Sequence, residues 1–340
     1  MNKMPIEGRE LIKEYVLKYK EQILDGSMSK SGLARIIYGI RPDLFISLEH
    51  VKRRVRGYTG SGGRDETNPL FEFKSTIAHG NKSIIPESRK LGSKIFDIVG
   101  VKNLLLVSDI HIPYHDKQAV EFAFSHGLEN NVDGILLNGD ILDMYQVSRW
   151  SKDPNAISIR EEFEMARDFF RTLREVFPKI PIYFKLGNHE DRWDIFLKTK
   201  APEIFGIEDF SLDEVLKLKS FNIQLVGSKQ RIRFGKLNIV HGHEFGESIF
   251  SPVNPARGLF LRAKCSTIAG HHHQTSEHHE NNLNADSMAC FTVGCLCDLE
   301  PDYRPMAFTK WNHGFARIEL LNAEGTFRVN NYRIINGEVI

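Results

Sequence analysis

The sequence predicts an α/β protein, a two-sheet α/β sandwich preceded by a small all-α domain. Three observations lead there: apolar runs alternate with amphipathic helical stretches in the middle of the chain, strand-rich sequence follows, and the first 58 residues show helical spacing. With 340 residues, the chain has room for one large domain of about 250 residues and a small one.

Composition narrows the function classes. Apolar residues make up 41% and charged residues 26%, as in ordinary globular proteins. Lys and Arg number 45 against 44 Asp and Glu, so no global field points to nucleic acid or an anionic membrane, and any such partner needs a local patch. No run of about 18 apolar residues occurs, and MNKMPIEGRELIKEY is charged from the start, which predicts a cytoplasmic protein. Cys265, Cys290, Cys295 and Cys297 lack paired C-x2-C spacing and read as ordinary buried or half-buried thiols.

Residues 9–25 carry Leu11, Ile12, Tyr15, Val16, Tyr19 and Ile23 at helical spacing, ended by Gly26-Ser27. A second helix starts near Ser29 or Ser31 and a third after Ser47, a good N-cap, with Pro42-Asp43 between them. This gives a helical domain over 1–58, helix-turn-helix-like in arrangement. Periodicity then dissolves in a linker over 59–95, apart from a short strand at 70–73, and the larger domain covers 96–340. Within it, Leu104–Val107, Gly134–Leu137 and Ile182–Leu186 read as buried strands, with helices at about 116–128 and 158–176. Further strands fit Ile223–Val226, Ile232–Phe234, Leu237–Val240, Thr267–Ala269, Gly314–Leu321 and Thr326–Ile334.

Five chemistry-bearing clusters punctuate these elements: Asp109-Ile-His111, Gly139-Asp140-Ile-Leu-Asp143, Gly187-Asn188-His189-Glu190, His241-Gly-His243 and Gly270-His271-His272-His273. Carboxylates and imidazoles at strand ends would cost several kcal/mol to bury unpaired, and a metal centre is the economical way to hold them together. Mixed Asp, His and Asn donors suit borderline cations such as Mn, Fe and Zn better than Ca.

The order D-x-H, GD-x-x-D, GNHE, H, GHxH resembles that of the calcineurin-like metallophosphoesterase superfamily over residues 104 to 320. The resemblance implies the metallophosphoesterase-type sandwich and two divalent cations, with Mn2+ favoured and Fe, Zn, Ni or Co as alternatives. It implies Asp109, His111 and His273 on the first metal, Asn188, His241 and His271 on the second, and Asp140 bridging both. His189 resembles the family's general acid, and Asp143 the carboxylate that orients it. A hydroxide between the cations would attack phosphorus in line, and the metals would neutralise the phosphate oxygens. An imidazolium paired with a carboxylate would then protonate the leaving group. All the ligand positions are filled, unlike those of a degenerate copy.

Around this set, His243, Arg192 and His115 are candidates to touch substrate, each weighed against a supporting or solvated role, as is Tyr114. Glu190 either accepts hydrogen bonds behind the ligands or caps the next helix. His272 has no expected role, and His278 and His279 are expected to face water. In the N-terminal unit, Lys52, Arg53, Arg54, Arg56 and Arg64 stand against Glu49 alone. Such a helix could lie against a nucleic-acid backbone or be a solvated face.

The resulting expectation is a phosphate-ester hydrolase acting on nucleic acid, as a nuclease or an end-processing phosphatase. The alternatives are a phosphatase or phosphodiesterase for small molecules or phosphoproteins, and, from another class, a non-catalytic DNA-binding or scaffold protein. GDILDMYQ lacks the Arg and Gly of the GD-x-V-D-R-G that protein phosphatases of the superfamily carry, which weakens that assignment.

Overall fold

The computed structural model describes residues 5–60, 95–246, 253–301 and 309–340. The chain divides into two compact units, Met1–Lys90 and Leu91–Ile340. The expected strand at 70–73, most of the expected linker and Arg64 fall outside the described residues.

The first unit packs helices α1 (Ile6–Lys18), α2 (Lys20–Leu24), α3 (Lys30–Ile40) and α4 (Leu48–Tyr58) around Ile12, Val16, Leu33, Ile37, Val51 and Val55. Ser29 and Ser47 cap α3 and α4 by accepting from the backbone N–H groups of Gly32 and His50. Two features differ from the sequence expectation. The first helix is divided at Tyr19, whose backbone (φ −101°, ψ 19°) leaves the helical region. The connection from α3 to α4 runs over Arg41–Ser47 through a short 3-10 turn, longer than the three to four residues that join the helices of a helix-turn-helix.

Among the described residues of the second unit, two sheets form. The seven-stranded sheet has the order β13 (Glu338–Val339), β12 (Phe327–Ile335), β11 (Gly314–Leu320), β2 (Asn103–Val107), β3 (Gly134–Asn138), β4 (Ile182–Lys185) and β5 (Ile223–Val226). The six-stranded sheet has the order β1 (Phe96–Asp97), β6 (Ile232–Phe234), β7 (Leu237–Ile239), β8 (Thr267–Ala269), β10 (Ser287–Thr292) and β9 (Ser276–Asn281). Strands β2 to β5 are mutually parallel, as are β7 and β8.

Both faces of β2 and β3 are covered, which is why they read as unbroken apolar runs. Leu105, Val107, Ile135 and Leu137 pack toward the helices α5 (Lys117–Glu129), α6 (Ile159–Val176) and α7 (Asp191–Lys200). Leu104, Leu106 and Leu136 pack with Phe234, Ile239, Ile268 and Phe291 of the other sheet. Asp116 caps α5, and a capping box of Ser158 and Glu161 starts α6. A helix over Pro255–Ala263 (α9, after the short α8 at Leu212–Val215) and the β9–β10 hairpin were not expected. The hairpin is polar: His278 and His279 lie in β9, each within hydrogen-bonding distance of a glutamate two residues away. No described helix is long and apolar enough to cross a membrane.

Phe184, fully buried at the centre of β4 with its ring 5.9 Å from that of Phe170, tests this inner layer. Phe184→Ala is expected to cost about 3–5 kcal/mol, read as a lower midpoint in denaturant unfolding.

Candidate metal centre

The C-terminal ends of parallel strands from both sheets converge on one point. Asp109 and His111 follow β2, Asp140 and Asp143 follow β3, Asn188–Glu190 follow β4, His241 follows β7, and His271–His273 follow β8. The first two loops prolong the pairing of their strands: Asp109 N–H donates to Gly139, His111 N–H to Asp140 and Asp143 N–H to Ile112. Asn138 ties the sheets together. Its side-chain amide donates to the Val240 carbonyl, and its own carbonyl accepts from His241 Nδ1 at 2.8 Å, which leaves Nε2 as the ligating nitrogen.

Asp109, His111, Asp140, His271 and His273 all have left-handed backbone, with φ between 52° and 68°. Non-glycine residues rarely adopt this region, and five at one site amount to strain that the surrounding structure must hold. Glycines give the loops their close approach: a Cβ on Gly187 would fall on the Asp140 carboxylate, and one on Gly270 would fall on Ser108 and Asp109.

The side chains meet closely. Asp109 lies 3.2 Å from His273 Nε2 and 4.0 Å from His241 Nε2, and Asp140 lies 3.2 Å from His241 Nε2. His111 Nε2 is 3.3 Å from His273 Nε2, and the donor atoms of Asp140, His241 and His271 fall within 4.8 Å of one another. Asn188 immediately precedes His189, whose N–H donates to Asp140 Oδ1 at 2.9 Å; the Asn188 Oδ1 is buried and makes no hydrogen bond among the described residues. All seven expected ligands therefore stand at or beside one cluster, and its donors are the oxygen and nitrogen atoms that suit paired divalent cations.

The electrostatics ask for positive charge. Burial opposes ionisation of Asp109 and Asp140, but the imidazoles around them outweigh it and hold both below the usual carboxylate range. Burial likewise disfavours charge on His241 and His273, yet Asp140 and Asp109 respectively push these histidines up to about 10. His271, half-buried and next to His241, is pushed down to about 3, chiefly by desolvation, and stays neutral.

His189 and Asp143 are together, with a difference from expectation. Asp143 Oδ1 is closer to His111 Nδ1 (3.0 Å) than to His189 Nδ1 (3.4 Å), and the Asp143 carbonyl holds His189 Nδ1 at 2.7 Å. Asp143 thus serves a ligand candidate and the acid candidate at once. Arg192 closes the arrangement, donating to the Asp143 carbonyl at 2.7 Å and to His189 Nε2 at 2.9 Å. His243 sits between Asp191 (3.8 Å) and Glu244 (3.7 Å), its ring 5.3 Å from that of His241. His115 is half-buried and bridges through its backbone to Cys297, whose sulfur lies 3.8 Å from His273 Nδ1. Burial lowers Tyr114's acidity, and the Asp143 charge adds to this.

Glu162, Lys185 and Glu244 escaped sequence reasoning, whereas Glu190 takes one of its two expected roles: it accepts hydrogen bonds behind the ligands and does not cap α7. Its carboxylate accepts from the N–H groups of Asp140, Ile141, Leu142 and Gly187, and so joins two ligand loops. Burial and then Asp140 push its pKa up to about 7, while these donors pull the other way. Glu162, pushed up to about 8 chiefly by burial, accepts from Met144 N–H. Fully buried Lys185 pairs with Glu244 at 2.9 Å, and Glu244 accepts from the N–H groups of His241 and Gly242. Lys185 breaking an apolar strand and Glu162 on the buried face of α6 were the visible signals.

A family model described as calcineurin-like phosphoesterase matches residues 102–301. The chain belongs to the calcineurin-like phosphoesterase family, which works through a dimetal centre. Among individual proteins, it is 25% identical over 234 residues to the Gene 54 protein of Mycobacterium phage D29, covering 66% of this chain and 90% of that one. Similar solved structures include Vps29 from Chaetomium thermophilum (9% identity, TM-score 0.37, 70% of this chain and 95% of that one). Others are the phosphoesterase YfcE from E. coli (13%, 0.30, 67% and 98%) and a dimetal phosphatase from Danio rerio (12%, 0.34, 68% and 96%).

Below about pH 10, His241 and His273 each hold a proton that a cation must displace. Metal uptake at pH 8 is therefore expected to release about two protons and to tighten as pH rises. Calorimetric titration with Mn2+ in two buffers of different ionisation heat measures this; buffer-independent heats would contradict it.

Proposed function

We propose that this chain is a binuclear metal-dependent phosphoesterase acting on nucleic acid. Asp109, His111 and His273 would hold one cation, Asn188, His241 and His271 the other, with Asp140 shared. The observation that carries this reading is the backbone: five of these seven residues are kept in left-handed conformation at a buried, carboxylate-rich point where two sheets meet. Cations bound there supply Lewis acidity and lower the pKa of a coordinated water. Mn2+ is the favoured ion on the oxygen and imidazole donors.

The remaining steps belong to the protein's own groups. Asp143 and its carbonyl hold the His189 ring through Nδ1 and aim Nε2 toward Asp140, 3.8 Å away. Arg192 occupies that Nε2 as a hydrogen-bond donor. An incoming phosphate, by taking the guanidinium in a charge-assisted contact, frees Nε2 to carry the proton for the leaving oxygen. His243 stands close enough to line the same space, whereas His115 is tied through its backbone to Cys297.

Support for nucleic acid comes from α4, whose Arg53, Arg54 and Arg56 are exposed, while Lys52 is ion-paired with Glu49. A phosphatase or phosphodiesterase for small molecules is the second reading, favoured by the near-neutral net charge. The intact His189–Asp143–Arg192 arrangement disfavours a non-catalytic scaffold.

A substrate panel with Mn2+ tests the reading: single-stranded DNA, duplex DNA, RNA, cyclic nucleotides, phosphopeptides and bis-p-nitrophenyl phosphate. Hydrolysis of nucleic acid is expected, and none on any nucleic acid would sink it. His189→Ala should keep both metals and lower kcat about 10²–10⁴-fold. Asp140→Asn should lose metal instead, seen by elemental analysis alongside kinetics.

A further inference from the structure

The segment that follows Asp143 carries a feature the metal centre does not use. Residues 145–152 interleave aromatic and basic side chains: Tyr145, Arg149, Trp150 and Lys152. Trp150 is 60% exposed, a large apolar surface left in water, and the Arg149 guanidinium stacks over its ring at 4.8 Å. Arg149 is exposed and forms no ion pair with an acid among the described residues.

The loop is braced. Tyr145 donates its hydroxyl to the Ser151 carbonyl at 2.7 Å and accepts from Asp153 N–H at 2.8 Å. Lys152 Nζ donates to the Tyr145 and Ser148 carbonyls and to Ser148 Oγ, at 2.6–2.7 Å, and lies 5.1 Å from the Tyr145 ring centroid. Trp150 N–H donates to the same Ser148 hydroxyl. The exposed indole is therefore presented on a pinned turn.

Its position ties it to the reacting point. The loop leaves from Asp143, which Arg192 and His189 both contact, and it packs against α7, the helix that bears Arg192. After the effect of burial, the Arg192 guanidinium lowers the Lys152 pKa, so these two cations share one neighbourhood. Trp150 is seven residues beyond Asp143, and the turn folds that length back on itself.

We propose that Trp150 and Arg149 form a stacking platform for a nucleobase next to the scissile phosphate of a single-stranded nucleic acid. This rests on the nucleic-acid reading above and names the strand form. An indole backed by a guanidinium offers a flat, polarisable, positively charged surface, which matches a base flanked by phosphates and tolerates every base. Aliphatic phosphate esters have no ring to stack. The Arg149 and Lys152 charges complement the phosphates on either side of the base.

The test uses the full-length, Mn2+-loaded enzyme with a single-stranded oligonucleotide, the same oligonucleotide lacking the base beside the cleaved phosphate, and a phosphopeptide. Trp150→Ala is expected to raise KM for the intact oligonucleotide about tenfold with a smaller change in kcat, and Trp150→Phe to recover most of it. Wild type should show a similar rise on the abasic strand, where Trp150→Ala should add no further loss. Arg149→Gln should raise KM and flatten its dependence on salt. An unchanged KM in Trp150→Ala, or equal losses from Trp150→Ala on intact and abasic strands, would overturn the platform while leaving nucleic-acid hydrolysis standing. Hydrolysis of the phosphopeptide but of no oligonucleotide by wild type would overturn the substrate reading, and the platform with it.

Discussion

The second unit is organised around a conflict between charge and burial. Asp109 and Asp140 are essentially inaccessible to water, yet both are held ionised beside each other at the junction of two sheets. Low-dielectric surroundings make such a pair expensive unless positive charge stands between them. In this structure His241 and His273 supply it, wedged within 3.2 Å of Asp140 and Asp109 respectively. Divalent cations would do so more strongly, and the strained left-handed backbone of the loops is the geometry that keeps the carboxylates from turning away.

Holding that geometry falls to buried polar groups behind the cluster. Glu190 gathers four N–H groups from the β3 and β4 loops, as a cap gathers the start of a helix, although the donors come from two separate segments. The Lys185–Glu244 pair does the corresponding work for the β7 loop, by way of the His241 and Gly242 N–H groups. Asn138 connects the two systems. Glu190 and Lys185 are fully buried and hydrogen-bonded, and each would be costly to leave with one partner missing.

How much of this the sequence disclosed follows from the physics of each part. The central strands were legible because cover on both faces turns them into apolar runs such as Leu104–Val107 and Gly134–Leu137. The site clusters were legible because acids and imidazoles directly after such runs are chemically conspicuous, and their order matches a family. The β9–β10 hairpin was hidden: SEHHEN has no apolar alternation, since β9 is a polar edge strand paired only with β10. The break at Tyr19 has no local marker in the sequence. The tasks of Glu162 and Lys185 were illegible for another reason. Their partners lie 18 to 59 residues away, so only folding reveals what they hold.

The claim on which the rest depends is that this cluster grips two cations at once, with Asp140 between them. The most direct measurement is a crystal structure of the Mn2+-soaked protein with anomalous scattering recorded at the metal edge. The account predicts two peaks about 3.5–4 Å apart, one beside Asp109, His111 and His273 and one beside Asn188, His241 and His271. A single peak, or none within reach of Asp140, would contradict it.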